Sequence, residues 1–167
     1  KTIRSDEEAL EINLNDDSPL LNIFKTLSEP HVGDLSFFRL YSGKVESGMD
    51  LWNTTHNHAE RVGQIFQMNG KERIQVKSVQ AGDLAAFVKL KGTHTGDTLS
   101  DPKTKLKLSG IEFPAPNLSG ALKLKSKGEE EKMSLGLSIL HEEDPTFIYR
   151  PDPELHQTLI FGQGKLH

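Results

Sequence analysis

The histidines are the residues whose spacing first suggests chemistry. Seven are present, and His56 and His58 lie two residues apart. Imidazoles on the same face of a strand can bind zinc together if a third ligand is near. Here the pair lies in Thr54-Thr55-His56-Asn57-His58, where a hairpin should turn, and no third ligand is close in the sequence. We therefore predict a turn here and no metal site.

Motifs of catalytic and nucleotide-binding sites are absent from the sequence. It contains no Gly-x-x-x-x-Gly-Lys-Ser/Thr phosphate loop, no Gly-x-Ser-x-Gly elbow and no His-Glu-x-x-His zinc motif. Gly162-Gln163-Gly164 is not a dinucleotide fingerprint, because His167 stands at the position of the third glycine. There is no cysteine, which excludes disulfides and cysteine nucleophiles. The sequence thus predicts no catalytic residue, metal or cofactor in this chain.

A single arginine stands within the most aromatic run, Phe37-Phe38-Arg39-Leu40-Tyr41. If buried, Arg39 would need a carboxylate partner, because an unpaired charge in an apolar core is costly. If exposed, it would join a basic patch of neighbouring cations. The sequence alone leaves both alternatives open. The other candidate members of the patch are Lys44, Arg61, Lys71, Arg73, Lys89 and Lys91.

Charge is unevenly distributed along the 167 residues, whose net charge is −4. Residues 20–108 carry twelve bases against nine acids, whereas residues 1–19 and 109–167 are acidic. A basic middle segment is compatible with an anionic partner, and a solvated mixed surface is the alternative. The longest apolar runs are too short to cross a bilayer, and no signal peptide is visible. We therefore expect a cytoplasmic protein without a membrane partner.

The pattern of residues 19–105 predicts a small β-barrel. Short apolar alternations are separated by turn signals such as Asn69-Gly70 and Thr95-Gly96-Asp97, and no helical period interrupts them. Alternation in the last strand places Leu84, Ala86, Val88 and Leu90 towards the core. The predicted strands cover residues 21–27, 35–41, 50–54, 61–68, 74–79 and 84–90.

The pattern of residues 106–167 is different and predicts a truncated, ferredoxin-like β-α-β-β domain. A strand at 121–125 precedes Ser126-Lys127-Gly128-Glu129, which has the form of a helix capping box. The helix should end before Pro145, and strands at 146–150 and 157–161 should follow it. Gly162-Gln163-Gly164 then looks like the beginning of another helix. One face of the first helix would carry Met133, Gly136, Leu137 and Leu140.

Three acids at the end of this helix, Glu142-Glu143-Asp144, oppose its macrodipole. They indicate either a functional surface or a solvated helix end, and the sequence does not separate these alternatives.

Several segments closely resemble the elongation factor G family. Those that resemble its second domain include Ser28 to Gly43, Ala81-Gly82-Asp83-Leu84 and Thr95-Gly96-Asp97. Gln157-Thr158 and Gly162-Gln163-Gly164-Lys165-Leu166-His167 resemble its third domain. The resemblance implies a translation-factor barrel at 19–105 and a partial third domain at 106–167. Residues 1–18 would be a connector from a GTP-binding domain that lies outside this sequence.

The resemblance further implies a parent protein that couples GTP hydrolysis to ribosomal translocation. The barrel would contact RNA and protein of the small ribosomal subunit through the basic patch. GTP and Mg²⁺ would belong to the missing GTP-binding domain, and domains IV and V would be further partners in the same chain. No DNA partner is expected. The candidate residues for coupling between domains are Asp144, Gly162, Gly164, Lys165 and His167.

Two positions depart from the family pattern. Leu155-His156 precedes Gln157-Thr158 where the family usually has Thr-Gly, and Lys165 stands where it usually has glutamate. These departures leave alternatives to a translocase open. The parent could be a tetracycline-resistance ribosomal protection protein or a release-type GTPase, and the barrel could also be a free-standing RNA-binding module.

Overall fold

The computed structural model describes residues 2–4, 9–11, 16–29, 32–70, 72–124, 126 and 128–167, with side chains from Asp16 onward. The chain divides into two compact units, Lys1–Ile111 and Glu112–His167. Half of the predicted connector, residues 1–18, falls outside the described residues. No helix in the described part of the chain is long and apolar enough to cross a membrane.

The first unit is built from short antiparallel strands. Eight of them form one sheet in the order β7-β6-β12-β3-β4-β11-β8-β9, while β5 pairs with β10 and β1 with β2. The strands are β1 (Thr2–Arg4), β2 (Ala9–Glu11), β3 (Leu20–Glu29), β4 (Gly33–Ser42), β5 (Lys44–Glu46), β6 (Asp50–Asn53), β7 (His58–Arg61), β8 (Ile65–Asn69), β9 (Glu72–Val76), β10 (Ser78–Gln80), β11 (Leu84–Val88) and β12 (Thr98–Ser100).

One hydrophobic core fills the inside of this curled sheet. Phe38 of β4 and Phe87 of β11 stack at its centre, with ring centroids 4.0 Å apart and planes 15° apart. Val45 and Val79 show that the small β5–β10 ladder also forms part of the wall. Fully burying such side chains contributes about 1.5–3 kcal/mol each, so this core supplies much of the stability of the unit. The arrangement confirms the predicted β-barrel.

Strand β11 faces the core with the opposite residues from those predicted. Ala85 and Phe87 lie in the main core, whereas Leu84 is 57% exposed. Ala86 and Val88 are buried in a separate, smaller cluster on the other face of the sheet. Because both faces of this strand are covered, its apolar run shows no alternation from which the facing could be read. The prediction for Leu84, Ala86 and Val88 is therefore wrong.

Two of the predicted strands are each divided in the structure. The strand predicted at 61–68 is the end of β7 followed by β8, and the strand predicted at 74–79 is β9 followed by β10. Between β7 and β8, the amide of Val62 donates to the carbonyl of Met49 at 2.8 Å. The strands separate where the chain changes from one ladder to another, which is how β-sheets turn corners.

The second unit contains three strands and one helix in the order β-α-β-β. These are β13 (Leu118–Leu122), α1 (Glu130–Glu143), β14 (Ile148–Asp152) and β15 (Gln157–Gly162). The sheet is antiparallel in the order β13-β15-β14, so that β15 pairs with both neighbours. This α+β arrangement agrees with the predicted β-α-β-β pattern.

Helix α1 begins later than the capping-box pattern predicts. Gly128 has φ +90°, which a helix excludes, so the helix begins at Glu130. Glu129 is the N-cap and makes no side-chain cap hydrogen bond. Leu137 is the buried residue of this helix, whereas Leu140 of the predicted apolar face is 51% exposed. Lys125 and Lys127, which the strand and capping-box predictions include, lie outside the described residues.

Residues 163–167 form a turn, so the helix predicted to begin at Gly162-Gln163-Gly164 does not form within them. The amide of His167 donates to the carbonyl of Gly164 at 3.2 Å. The imidazole of His167 folds back over the turn, where its Nδ1 accepts a hydrogen bond from the amide of Gln163 at 2.9 Å. This side chain thus supplies the acceptor for the first backbone amide after β15.

Candidate nucleic-acid interface

A groove on the first unit brings together three of the seven predicted cations, Arg61, Arg73 and Lys89. Its volume is about 580 Å³, and we call it the cationic groove. No carboxylate is among the described residues that line it. The other lining residues are Val32, Gly63, Gln64, Phe66 and Val88.

The alternation of β8 places an aromatic ring in this groove. Ile65 points into the barrel core and is fully buried, so the next residue, Phe66, points to the other face. Phe66 lies opposite Ala86 of β11 and packs against the outer apolar cluster around Val88. The ring is only half-buried, which leaves part of it exposed at the groove.

Lys89 reaches the groove because the chain turns at the end of β11. Its φ is +58°, a conformation that is uncommon for a residue with a side chain. Its amide donates to the carbonyl of Asp34 at 2.9 Å. The aliphatic stem lies against Gly33, whose φ is +95° and where an added Cβ would stand 3.3 Å from the lysine Cγ and Cε. The glycine therefore makes room for the lysine.

The three cations of the groove differ in how far their charge is neutralised. Arg73 is 2.7 Å from Oε2 of Glu29, and both side chains are about one-third exposed. Arg61 stands 3.8 Å from Asp50 in a pair whose two side chains are mostly in solvent. Lys89 makes no ion pair with any residue that the structure describes. The groove thus retains positive charge at Arg61 and Lys89.

The remaining predicted cations that the structure describes do not line the groove. Arg39 is exposed on the outer face of β4, with its Cζ 5.7 Å from the ring centroid of Tyr41. Of the two alternatives that the sequence left open, Arg39 is therefore the exposed residue and not a buried one with a carboxylate partner. Lys44 lies 2.6 Å from Glu46, and the hydrogen bond lowers the pKa of that carboxyl. Lys91 is exposed, and Lys71 lies outside the described residues.

A buried carboxylate that the sequence analysis missed lies directly before Arg61. Glu60 is only 4% exposed and accepts hydrogen bonds from the amides of Lys91 and Gly92 at 3.0 and 2.8 Å. The hydroxyl of Thr93 and Nε2 of His58 donate to the same oxygen at 3.0 and 3.2 Å. Burial alone would raise the pKa of Glu60, but these hydrogen bonds outweigh it and hold the pKa below 4.5.

A second buried carboxylate, Asp97, accepts hydrogen bonds near the turn that carries His56. Its Oδ2 accepts hydrogen bonds from the side chain of Asn53 at 2.9 Å and from the amide of His94 at 2.8 Å. Nε2 of His56 lies 3.2 Å from its Oδ1. The turn motif Thr95-Gly96-Asp97 was the available signal, since aspartate in turns commonly binds nearby amides.

Of the histidine pair, His56 lies in the turn of residues 54–57, whereas His58 is the first residue of β7. His56 and His58 each contact a different buried carboxylate, and their ring centroids are 6.5 Å apart. His94 is a third imidazole that the sequence did not place nearby, with its ring centroid 5.7 Å from that of His56. Within the described part of the chain, no group of three or more potential ligands is arranged to hold a metal ion.

In the second unit the structure brings together three of the five predicted coupling residues. Nε2 of His167 lies 2.9 Å from Oδ2 of Asp144, and its ring covers Gly162, where an added Cβ would stand 2.8 Å from Nδ1. The pKa of Asp144 is lower than its ordinary value, and the hydrogen bond from the hydroxyl of Thr146 is the largest cause. Burial raises this pKa, but the Thr146 amide and His167 lower it further. Gly164 and Lys165 are exposed.

A second groove, of about 680 Å³, contains the Leu155-His156 pair that departs from the family pattern. Its polar lining mixes both signs of charge, with Lys123 beside Glu130 and Asp152. The balance does not favour an anionic ligand over a cationic one, in contrast to the cationic groove.

Comparisons with known proteins agree with this architecture. Residues 20–102 match the family model of elongation factor G domain 2, and residues 113–167 match that of elongation factor G domain III. The chain belongs to the elongation factor G family. The resemblance found in the sequence is thereby confirmed, and each matched range falls within one of the two units.

A crystal structure of a protein from Thermus thermophilus is similar to this family member. The two sequences are 28% identical, the TM-score is 0.76, and the similarity covers 91% of this chain. The chain spans only 23% of the length of that protein. The 167-residue chain is an elongation factor G-like translation-factor sequence. It aligns with only part of the longer Thermus protein.

Proposed function

We propose that this chain is a ribosome-binding part of an elongation factor G-like translocase that acts in the cytoplasm. The observation that carries the proposal is the convergence of Arg61 and Lys89, neither held closely by an acid, on one groove of a barrel of this family. The partners are RNA and protein of the small ribosomal subunit. In the whole protein, a GTP-binding domain with Mg²⁺ supplies the energy, and domains IV and V complete the factor.

Phosphate groups are the natural ligands of such a surface. RNA presents closely spaced negative charges, and each phosphate that a cation neutralises releases condensed counterions. Binding should therefore weaken as salt rises, by nearly one unit of log K per unit of log salt for each contact. A small set of contacts gives an affinity in the non-specific range, with Kd about 10⁻⁴ to 10⁻⁶ M.

The test is a salt series of binding to isolated small ribosomal subunits. Arg61→Gln and Lys89→Gln should each lower the slope of log K against log salt by about one unit. Lys132→Gln, on an exposed position of α1, makes the same change of charge in the second unit and should leave the slope unchanged. Equal slopes for all three variants would contradict the proposal.

The chain itself is proposed to be non-catalytic. It contains no phosphate loop with its lysine, which nucleotide binding by this class of protein requires. Isothermal titration with GTP and Mg²⁺ should therefore give no binding heat, and micromolar binding would contradict this part of the proposal.

A further inference from the structure

We infer that the cationic groove holds one unstacked RNA nucleotide, with its base against the ring of Phe66 and its phosphate between Arg61 and Lys89. The inference rests on the proposed function and goes further, because it names the form of RNA that the site recognises. It assigns a role to an aromatic residue that contact with phosphates alone would not need.

The groove has the size and apolar lining of a small-ligand site. Its volume of about 580 Å³ lies within the roughly 300–1,000 Å³ of typical sites. Val32, Phe66 and Val88 supply its apolar side chains, and all three belong to the outer hydrophobic cluster. This cluster also contains buried Leu35 and Ala86, so the aromatic ring is held on a packed support. A supported ring provides a surface on which a planar base can stack.

The polar residues around the ring are suited to the rest of a nucleotide. Arg73 is already paired with Glu29, whereas the guanidinium of Arg61 is largely in solvent and Lys89 has no ion pair with a described residue. The last two are therefore the cations available to a phosphate. Gln64 also lines the groove and is exposed, and its amide can both donate to and accept from the edge of a base.

The combination favours an unpaired nucleotide over a duplex. In a duplex both faces of each base are covered by neighbouring pairs, so the ring of Phe66 would contact nothing there. Phosphates remain accessible in both forms, and Arg61 and Lys89 would bind either. Recognition of unstacked bases on aromatic side chains is also how most single-stranded RNA is bound. An acidic peptide would satisfy the cations but has no comparable use for the ring.

The test measures binding of a fluorescein-labelled single-stranded RNA hexamer to the 167-residue chain by fluorescence anisotropy. Phe66→Leu keeps an apolar side chain and removes the ring, and it should weaken binding about 5- to 100-fold without changing the salt slope. Phe66→Tyr keeps the ring and should bind like the unaltered chain. The matched control is Phe24→Leu, because Phe24 is also on the barrel and is 40% exposed but does not line the groove.

Two further arms separate the ring from the charges. Arg61 and Lys89 share one phosphate in this site, so the double variant Arg61→Gln/Lys89→Gln should reduce the salt slope for the hexamer by about 0.7, the value for one contact with a single strand. A duplex of the same sequence should bind more weakly than the hexamer and should be insensitive to Phe66→Leu. Thermal unfolding of every variant shows whether any loss of binding follows from loss of folding.

The outcomes distinguish this inference from the proposed function. If Phe66→Leu and Phe24→Leu bind the hexamer equally, or if the duplex binds as tightly, the nucleotide site is overturned. The salt dependence of binding to small subunits can still hold in that case, and the proposed function then stands. If a hexaglutamate peptide displaces the RNA at equal concentration, the groove is an acidic-peptide site and the inference is wrong.

Discussion

Nε2 of His58 lies 3.2 Å from Oε1 of Glu60, within one strand and on one side of the barrel wall. A carboxylate can only accept, so His58 donates through a protonated Nε2. The same carboxylate also receives the amides of Lys91 and Gly92, thirty-one and thirty-two residues further along the chain. Glu60 thereby connects β7 to the segment that follows Lys89. In the sequence, the two ends of this connection lie next to Arg61 and close to Lys89, two residues of the cationic groove.

Replacing Glu60 with glutamine should lower the free energy of unfolding by about 1–3 kcal/mol. The glutamine amide keeps the size of the side chain and an acceptor oxygen for the donors that meet at Oε1, but it loses the negative charge that strengthens these hydrogen bonds. Its NH₂ group would also face the amide of Lys91, which lies 3.3 Å from Oε2. Urea unfolding at neutral pH measures the change. Glu46→Gln is the matched control, because Glu46 is exposed and forms a solvent-exposed ion pair with Lys44, so it should leave the midpoint nearly unchanged. Equal midpoints for the two variants would show that the buried hydrogen bonds contribute little.

The same carboxylate should make stability depend on pH on the acid side. Its pKa in the folded chain is below the ordinary value of 4.5, so the folded state binds the proton less readily than the unfolded state. The stabilisation is therefore fully present above pH 4.5 and is lost as the pH falls through the folded pKa. Urea midpoints at successively lower pH should fall less steeply for Glu60→Gln than for the unaltered chain. Parallel curves would contradict the assignment.

The sequence predicted the positions of the barrel strands better than it predicted which residues of each strand point into the core. Alternation identifies a strand only when one of its faces is polar, and both faces of Ala85 to Val88 are buried. The start of α1 was missed for another reason. A capping-box pattern concerns only a few neighbouring residues. Gly128, which lies between Ser126 and the helix, has a positive φ, and this conformation prevents the helix from beginning directly after Ser126.

The parts of the site are far apart in the sequence, which limits what could be predicted. The cations were identified by type, but Arg61 and Lys89 meet only because β8 pairs with β11. Such pairing depends on long-range register that no local pattern contains. Phe66 was assigned to a strand without a role, since its facing follows from Ile65 being in the core. Glu60 was missed because two of its partners are backbone amides, which leave no signal in the sequence, and these and Thr93 lie more than thirty residues away along the chain.

The facing of β11 can be checked by a pair of truncations. Phe87→Ala should cost about 3–5 kcal/mol of unfolding free energy, because it removes a ring that stacks on Phe38 in the core. Leu84→Ala should change the free energy by no more than about 0.5 kcal/mol, since Leu84 is largely exposed. The sequence pattern predicted the reverse facing, so a larger loss for Leu84→Ala would restore that prediction. Urea unfolding of both variants decides the matter.

The turn after β15 should depend on the imidazole of His167. Its Nδ1 accepts the amide of Gln163 and its Nε2 contacts Asp144, so it links the end of the sheet to the end of α1. His167→Ala should make the Gln163 amide exchange about 2- to 10-fold faster, the effect of losing one hydrogen bond. Lys165→Ala changes an exposed residue of the same turn and should leave that rate unchanged. Residue-resolved hydrogen exchange measures the rate of the Gln163 amide in both variants. The same rate in both would show that His167 does not stabilise the turn.

The two units should open at different free energies in native-state hydrogen exchange. The first unit contains the large core around Phe38 and Phe87, whereas Leu137 and Thr158 are the only residues of the second unit that are buried in the part of the chain described. Fewer buried contacts allow local opening at lower cost. Amides of β13, α1 and β15 should therefore exchange well before those of β3, β4 and β11, with the difference narrowing only when denaturant approaches global unfolding. The control repeats the measurement at lower protein concentration. If a second copy of the chain protected the second unit, dilution would dissociate the two copies and the protection would be lost. Equal protection of the two units at every protein concentration would show that the size of the buried core does not set the order of opening.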